Sequence, residues 1–112
     1  MALERGKLSN VVVVSAGSTV GIITVADSKK VYIRSILCHQ PGATPSSAQV
    51  YFVPNGETVD VNNRSFDFDV NGGETVLLEP VYPLVIDTTG DTLQVGANTG
   101  TINFLITGDK EL

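Results

Sequence analysis

The segment Lys30-Val-Tyr-Ile-Arg-Ser-Ile-Leu-Cys-His39 decides which fold class this chain can adopt. Val31, Ile33, Ser35 and Leu37 alternate with Tyr32, Arg34, Ile36 and Cys38, and a period of two marks a strand. Both alternating sets are largely apolar, so the segment reads as a long strand covered on both faces. The same period recurs on either side of it in shorter runs. Val11 to Val14 and Thr19 to Val25 precede it. Gln49 to Val53, Ser65 to Val70, Thr75 to Leu78, Leu84 to Ile86, Thr92 to Val95 and Thr101 to Thr107 follow. Nowhere do apolar residues recur at three and four positions without interruption by Gly, Pro, Asn or a β-branched run, so helices are not expected.

The gaps between runs carry turn chemistry, because glycine takes positive φ at no steric cost and Asn tolerates it. Ala16-Gly-Ser18, Asn55-Gly56, Asn71-Gly-Gly73, Thr89-Gly-Asp91 and Asn98-Thr-Gly100 are the examples. Short strands at roughly ten-residue spacing, with no crossover helices, predict an all-β fold. The expectation is a single domain: an antiparallel jelly-roll-like or Greek-key β-sandwich of about eight strands over residues 10–112. Residues 1–9, with Glu4-Arg-Gly-Lys7, read as a short polar N-terminal arm, frayed or pinned by a neighbour. Pro41-Gly-Ala-Thr-Pro-Ser-Ser47 reads as an exposed loop.

At 112 residues the chain can hide roughly 65% of its unfolded surface, enough for a core without staples. Its one cysteine, Cys38, excludes an intrachain disulfide framework. Twelve acidic against seven basic residues give a net charge of −5, and no Lys/Arg run exists to neutralise a series of phosphates, so nucleic acid is not an expected partner. No apolar stretch matches a signal peptide or a membrane span, which predicts a soluble protein made in the cytosol. Asn63-Arg-Ser65 fits a glycosylation acceptor and, with no secretion signal, reads as a chance match.

Catalytic chemistry is sparse. The only histidine, His39, follows the only cysteine, and neighbours on a strand point to opposite faces, so they cannot form a nucleophile and base pair. Cys38 is expected to be a small buried hydrophobe and His39 a surface residue at a strand end. Two N/S ligands are too few for zinc. Asp60, Asp67, Asp69, Glu74 and Glu79 could supply a carboxylate pair, but aromatic residues make up 6% of the chain and tryptophan is absent, which leaves little to stack on a sugar. No enzyme activity and no cofactor are expected.

One motif invites a metal. In Asp67-Phe-Asp-Val-Asn-Gly-Gly-Glu74, Asp67, Asp69 and Asn71 fill positions one, three and five of a calcium loop and Gly72 position six. Position twelve, which should be a bidentate Glu, is Leu78, with Glu79 one residue late. The alternative is a half-buried strand with Phe66 and Phe68 inward and both aspartates in solvent, ending in a glycine turn, and that reading is preferred.

Apolar residues exceed what one sheet face requires. Val11 to Val14 and Val81-Tyr-Pro-Leu-Val-Ile86 would be apolar on both faces, which predicts that another chain covers part of the outside. Leu3, Arg5 and Lys7 of the arm, Val12 and Val14 of the valine run, and Tyr82 and Leu84 are the contact residues this points to. Lys29-Lys30, Pro54, Pro80, Pro83 and Asp109-Lys-Glu111 flank strands as guards against aggregation.

The segments Gly72-Gly-Glu-Thr-Val-Leu-Leu78, Pro83-Leu-Val-Ile-Asp-Thr-Thr-Gly-Asp-Thr-Leu-Gln-Val-Gly-Ala97 and Ile102-Asn-Phe-Leu-Ile-Thr-Gly108, with the long strand and Gln49-Val-Tyr-Phe-Val53, resemble small β-sandwich virion proteins of tailed bacteriophages over about residues 29–108. That resemblance implies a capsid cement or decoration protein in the virion, made in the host cytoplasm. It would be homo-oligomeric, with a trimer favoured, and would contact the major capsid protein or another virion protein. A head-to-tail or tail-appendage component is the alternative within that class. Outside it stands a carbohydrate- or ligand-binding β-sandwich, with Pro41 to Ser47 and Asn98 to Thr101 as recognition loops.

Overall fold

The computed structural model describes residues 3–26 and 29–112. They form β1 (Leu3–Lys7), β2 (Val12–Ser15), β3 (Thr19–Thr24), β4 (Val31–His39), β5 (Ser46–Val53), β6 (Arg64–Val70), β7 (Thr75–Leu78), β8 (Leu84–Ile86), β9 (Thr92–Ala97) and β10 (Thr101–Glu111). The one helical element among them is a three-residue 3-10 turn, Val61–Asn63, capped by the Asp60 side chain. No helix among the described residues is long and apolar enough to cross a membrane.

Two antiparallel sheets result, one of six strands and one of four. In the larger, β10 and β4 pair at the centre, β1 and β2 lie end to end along the free edge of β10, and β7 and β8 lie end to end along the free edge of β4. The break between β1 and β2 is a local irregularity in one ladder. Leu8 N–H donates to the Ile106 carbonyl at 2.8 Å, and the Ser9 hydroxyl accepts from Ile106 N–H at 3.2 Å. With each broken pair taken as one strand position, eight positions remain. The larger sheet then runs first, eighth, third, sixth, and the smaller (β3-β9-β5-β6) second, seventh, fourth, fifth. That order is a jelly roll, as expected. The segment read as a separate arm is corrected by this pairing: Leu3–Lys7 is an edge strand of the chain's own sheet, and Met1 and Ala2 of the expected arm lie outside the described residues.

The core lies between the sheets. Val14, Ile33, Ile36, Cys38, Val50, Val70, Leu93, Val95, Ile102, Phe104 and Ile106 are sealed from solvent, each larger side chain worth about 1.5–3 kcal/mol on burial. Strict alternation does not survive along β4. Thr107 pairs with Ser35 but the next residue, Gly108, pairs with Ile33, so Arg34 has no partner and the strand bulges there. Before the bulge Val31 and Ile33 point inward; after it Ile36 and Cys38 do, and Ser35 and Leu37 turn outward. An extra residue on one strand flips every later side chain to the other face.

Gly108 makes this close approach possible, because a Cβ there would collide with the Tyr32 carbonyl oxygen. Backbone cannot yield as a flexible side-chain tip can. Gly108→Ala is expected to destabilise the domain by about 3 kcal/mol or more, the upper end for overpacking, as measured by urea unfolding. A variant as stable as wild type would contradict the bulge geometry.

Candidate interaction surface

The outward positions of the six-stranded sheet form rows across its strands. Leu105, Leu37 and Leu77 stand directly opposite one another on β10, β4 and β7. Leu77 is 48% exposed, and the other two are half-buried by their neighbours on the same face. One row further on, Val13, Asn103, His39 and Thr75 line up across β2, β10, β4 and β7. His39 Nδ1 lies 2.9 Å from the Thr75 hydroxyl. On the other side, Ser35 and Thr107 hydrogen-bond through their hydroxyls. Beyond them Tyr32 faces Val85 on β8. Between β7 and β8 the chain rises into a loop whose Val81 and Tyr82 are 92% and 81% exposed.

The lower part of this face is held by charge. The Asp109 carboxylate accepts from Arg5 Nε at 2.8 Å and from Arg34 Nε at 2.8 Å, so it ties β1, β10 and β4 together. Its side chain is 3% exposed, whereas those of Arg5 and Arg34 are 72% and 44% exposed. The bulge that leaves Arg34 unpaired in the ladder is what lets it reach this carboxylate. Hydrogen bonds from Arg5 and then Arg34 hold the carboxyl below its ordinary range. A second charged pair, Lys110 with Glu4 at 3.6 Å, is open to solvent and adds little.

A separate, polar depression lies at one end of the sandwich. The Asn98 amide oxygen accepts from Ser47 N–H at 2.7 Å and from the Ser46 hydroxyl at 3.1 Å, and the Thr99 hydroxyl donates to the Pro45 carbonyl at 2.8 Å. The two loops expected to recognise a ligand are thus bound together, and Pro45, Ser46, Ser47, Asp69, Asn71 and Asn98 line a hollow of about 290 Å³.

The calcium motif resolves into strand and turn. Phe66 and Phe68 pack on the core while Asp67 and Asp69 face out from β6. Asp67 accepts from Gln49 Nε2 at 3.1 Å and sits 3.7 Å from Arg64. The Glu74 carboxylate closes the turn by accepting Asn71 N–H at 3.1 Å. Gly73 has φ of 74°, and a Cβ at Gly72 would come within 2.6 Å of the Ala43 backbone, so both glycines are accounted for without a metal. Among the described residues no three His, Cys, Asp or Glu side chains gather.

The expected contact residues divide by parity. Leu3 (51% exposed) and Tyr82 are open, Lys7 is exposed on β1, and Arg5 is open though tied to Asp109. Val14 is corrected: it is wholly buried in the core. Val12 and Leu84 also pack inward against the core. The outward residues of those runs are Val13 and Val85, 60% and 45% exposed. The leucine row was not singled out, although Thr101, Asn103 and Thr107 form a polar set in which Leu105 is the one apolar member.

No protein-family profile matches the chain, and no curated protein matches it significantly. Among solved structures, chains from infectious bursal disease virus are similar, one from the Gt strain (TM-score 0.46) and one from the Gx strain (TM-score 0.43). In both cases 97% of this chain aligns at 13% identity, and it spans 32% of the length of the viral chain.

Two measurements check the chemistry of this sheet. A carboxyl depressed in the folded state stabilises above its unfolded pKa, and that contribution is lost as pH falls through the folded value. Asp109→Asn should therefore melt at lower temperature than wild type near neutral pH, with the gap closing under acid conditions; a gap independent of pH would contradict the ion cluster. The Cys38 thiol, pushed up to about 12 by burial, should react with a thiol reagent only after unfolding. Rapid labelling of the native protein would contradict its placement.

Proposed function

We propose that this chain is a non-enzymatic structural protein of a virion, most specifically a capsid cement or decoration protein. In this reading it acts as a homo-oligomer that binds major capsid subunits and stabilises the shell. The observation that carries the proposal is the leucine row Leu105, Leu37 and Leu77 on the outer face of the six-stranded sheet. An outward face of an antiparallel sheet ordinarily carries polar residues, and an apolar row is understood when another surface covers it. The jelly roll adds support by analogy, since it recurs in viral shell domains, although it also occurs in lectins and cupins. Tyr82, projecting beside the exposed Val81, is of a residue type that anchors interfaces. Burial of the sheet face against a partner would be favoured by the hydrophobic effect, offset by the freedom lost on association, with no covalent step. A lasting contact needs on the order of 1,000 Å² or more in total.

Purified particles should contain the chain in many copies. Leu77→Lys, at an exposed position, should leave its melting temperature nearly unchanged and lower its incorporation into particles several-fold. Absence of the chain from particles, or full incorporation of the variant, would contradict the proposal.

A second reading, a ligand-binding module, is favoured by the polar hollow between the bound loops Pro45 to Ser47 and Asn98 to Thr99. A ligand held only by the folded state raises the melting temperature, so a glycan panel and calcium should each be tested; no shift with any of them removes this reading.

A further inference from the structure

The outward face of the four-stranded sheet holds a hollow that neither reading above uses. Gln49 stands opposite the outward Asp67 in the ladder between β5 and β6, and Tyr51 lies two residues further along β5 on the same side. Across β9 their partners are Gly96 and Gln94. Gly96 puts no side chain between Gln49 and Thr19, so the face dips there. A Cβ on Gly96 would come within 3.1 Å of the Thr19 methyl and 3.6 Å of Gln49 Oε1. Arg64 and the turn at Gly17-Ser18 wall the dip, whose volume is about 290 Å³.

Its polar groups are walled in without being paired. Gln49 and Tyr51 are only 8% and 9% exposed, although they stand on the side away from the core. Gln49 Nε2 donates to the Ser47 hydroxyl at 2.7 Å and to Asp67 at 3.1 Å, which leaves Oε1 with no donor among the described residues. The Tyr51 hydroxyl likewise has no hydrogen-bond partner among them. At the rim, Asn98 accepts through Oδ1 from Ser46, Ser47 and Thr99, while its Nδ2 donates to none of the described residues. Arg64 approaches Asp67 only to 3.7 Å, beyond hydrogen-bond distance. Side chains that are nine-tenths buried ordinarily have their polar atoms satisfied. Water reaches this hollow in the free protein, and a ligand that displaces it must match the same groups.

The groups define the chemistry of that ligand. Gln49 Oε1 accepts, Asn98 Nδ2 and the Arg64 guanidinium donate, and the Tyr51 hydroxyl does either. Arg64 and the neighbouring Asp67 balance in charge, so nothing here selects an ion. Donors and acceptors interleaved around a hollow of no net charge match hydroxyl groups, each of which both donates and accepts, and the Tyr51 ring offers carbon beside them. We propose that this hollow binds one sugar unit of a neutral saccharide chain. Its volume lies at the small end for ligand pockets, roughly 300–1,000 Å³, and its open side lets a longer chain continue past it.

The site deepens the ligand-binding reading, places it apart from the loop hollow, with which it shares only Asn98, and is independent of the virion role. Amide NMR spectra of the isotope-labelled chain, titrated with lactose, maltotriose, cellotriose and chitotriose into the millimolar range, test it. At least one sugar should give saturable shifts centred on the Gln49 and Asn98 side-chain amides and the Tyr51 backbone amide. Tyr51→Phe should weaken that binding several-fold, as expected for one lost hydrogen bond. It should leave the melting temperature unchanged, because the hydroxyl has no partner in the free protein to lose. Asp69→Ser, which alters only the loop hollow, should bind as wild type does. No saturable shift with any of the four sugars, or undiminished binding by Tyr51→Phe, would overturn the proposal. Shifts confined to Ser46, Ser47, Asp69 and Asn71, and abolished by Asp69→Ser, would also overturn it while leaving the loop hollow as the ligand site.

Discussion

The antiparallel ladder between β10 and β4 is the constraint on which the rest of the molecule depends. These are the two longest strands, 11 and 9 residues, and each offers its outer edge to two shorter ones. β1 and β2 use β10, and β7 and β8 use β4. Among the described residues none of those four short strands has another strand partner, so all would lose their template if the central pair failed. The bulge at Arg34, opposite the Thr107 to Gly108 step, divides the sheet into two four-stranded halves. β1 and β8 flank the half below the bulge, and β2 and β7 the half above.

This division explains why two kinds of surface share one face. Above the bulge, pairing is regular and the outward residues are leucine, valine and small polar side chains. Below it, the displaced Arg34 turns toward Asp109, and Arg5 approaches the same carboxylate from β1. A carboxylate with two guanidiniums is satisfied on a face that a partner could cover, because its hydrogen bonds do not depend on water. The leucine row beside it offers apolar area on a stiff frame, and a stiff frame loses little conformational entropy on association. Under the proposed structural role, this face would add area to an assembly.

Much of the architecture was legible in the sequence because period-two alternation and glycine turns are local signals. Thr75–Leu78 and Leu84–Ile86 are expected at their observed bounds, and strand count and spacing predict a sandwich of about eight strands, while the choice of jelly roll over another Greek key rests on the ladders. Leu3–Lys7 was missed as a strand because three of its five residues are charged and all five are exposed, with Gly6 at φ 154°; only the ladder to β10 makes it extended. Alternation in the sequence does not show the change of face at Arg34, because a bulge depends on two strands at once. In Val11 to Val14 and Val81 to Ile86 no polar residue reports which side faces water, so Val14 and Leu84 were assigned outward and Val13 and Val85 were passed over. The Asp109 cluster joins residues 5, 34 and 109, and no local pattern links them.

Residue-resolved amide hydrogen exchange tests the central ladder most directly. If β10 and β4 template the larger sheet, their paired amides, Ile36 to Cys38 and Phe104 to Ile106 among them, should be the slowest to exchange, approaching the rate set by global unfolding. β1, β7 and β8 should open at lower free energy. Slowest exchange in β5 and β9, with β10 and β4 opening early, would contradict the account.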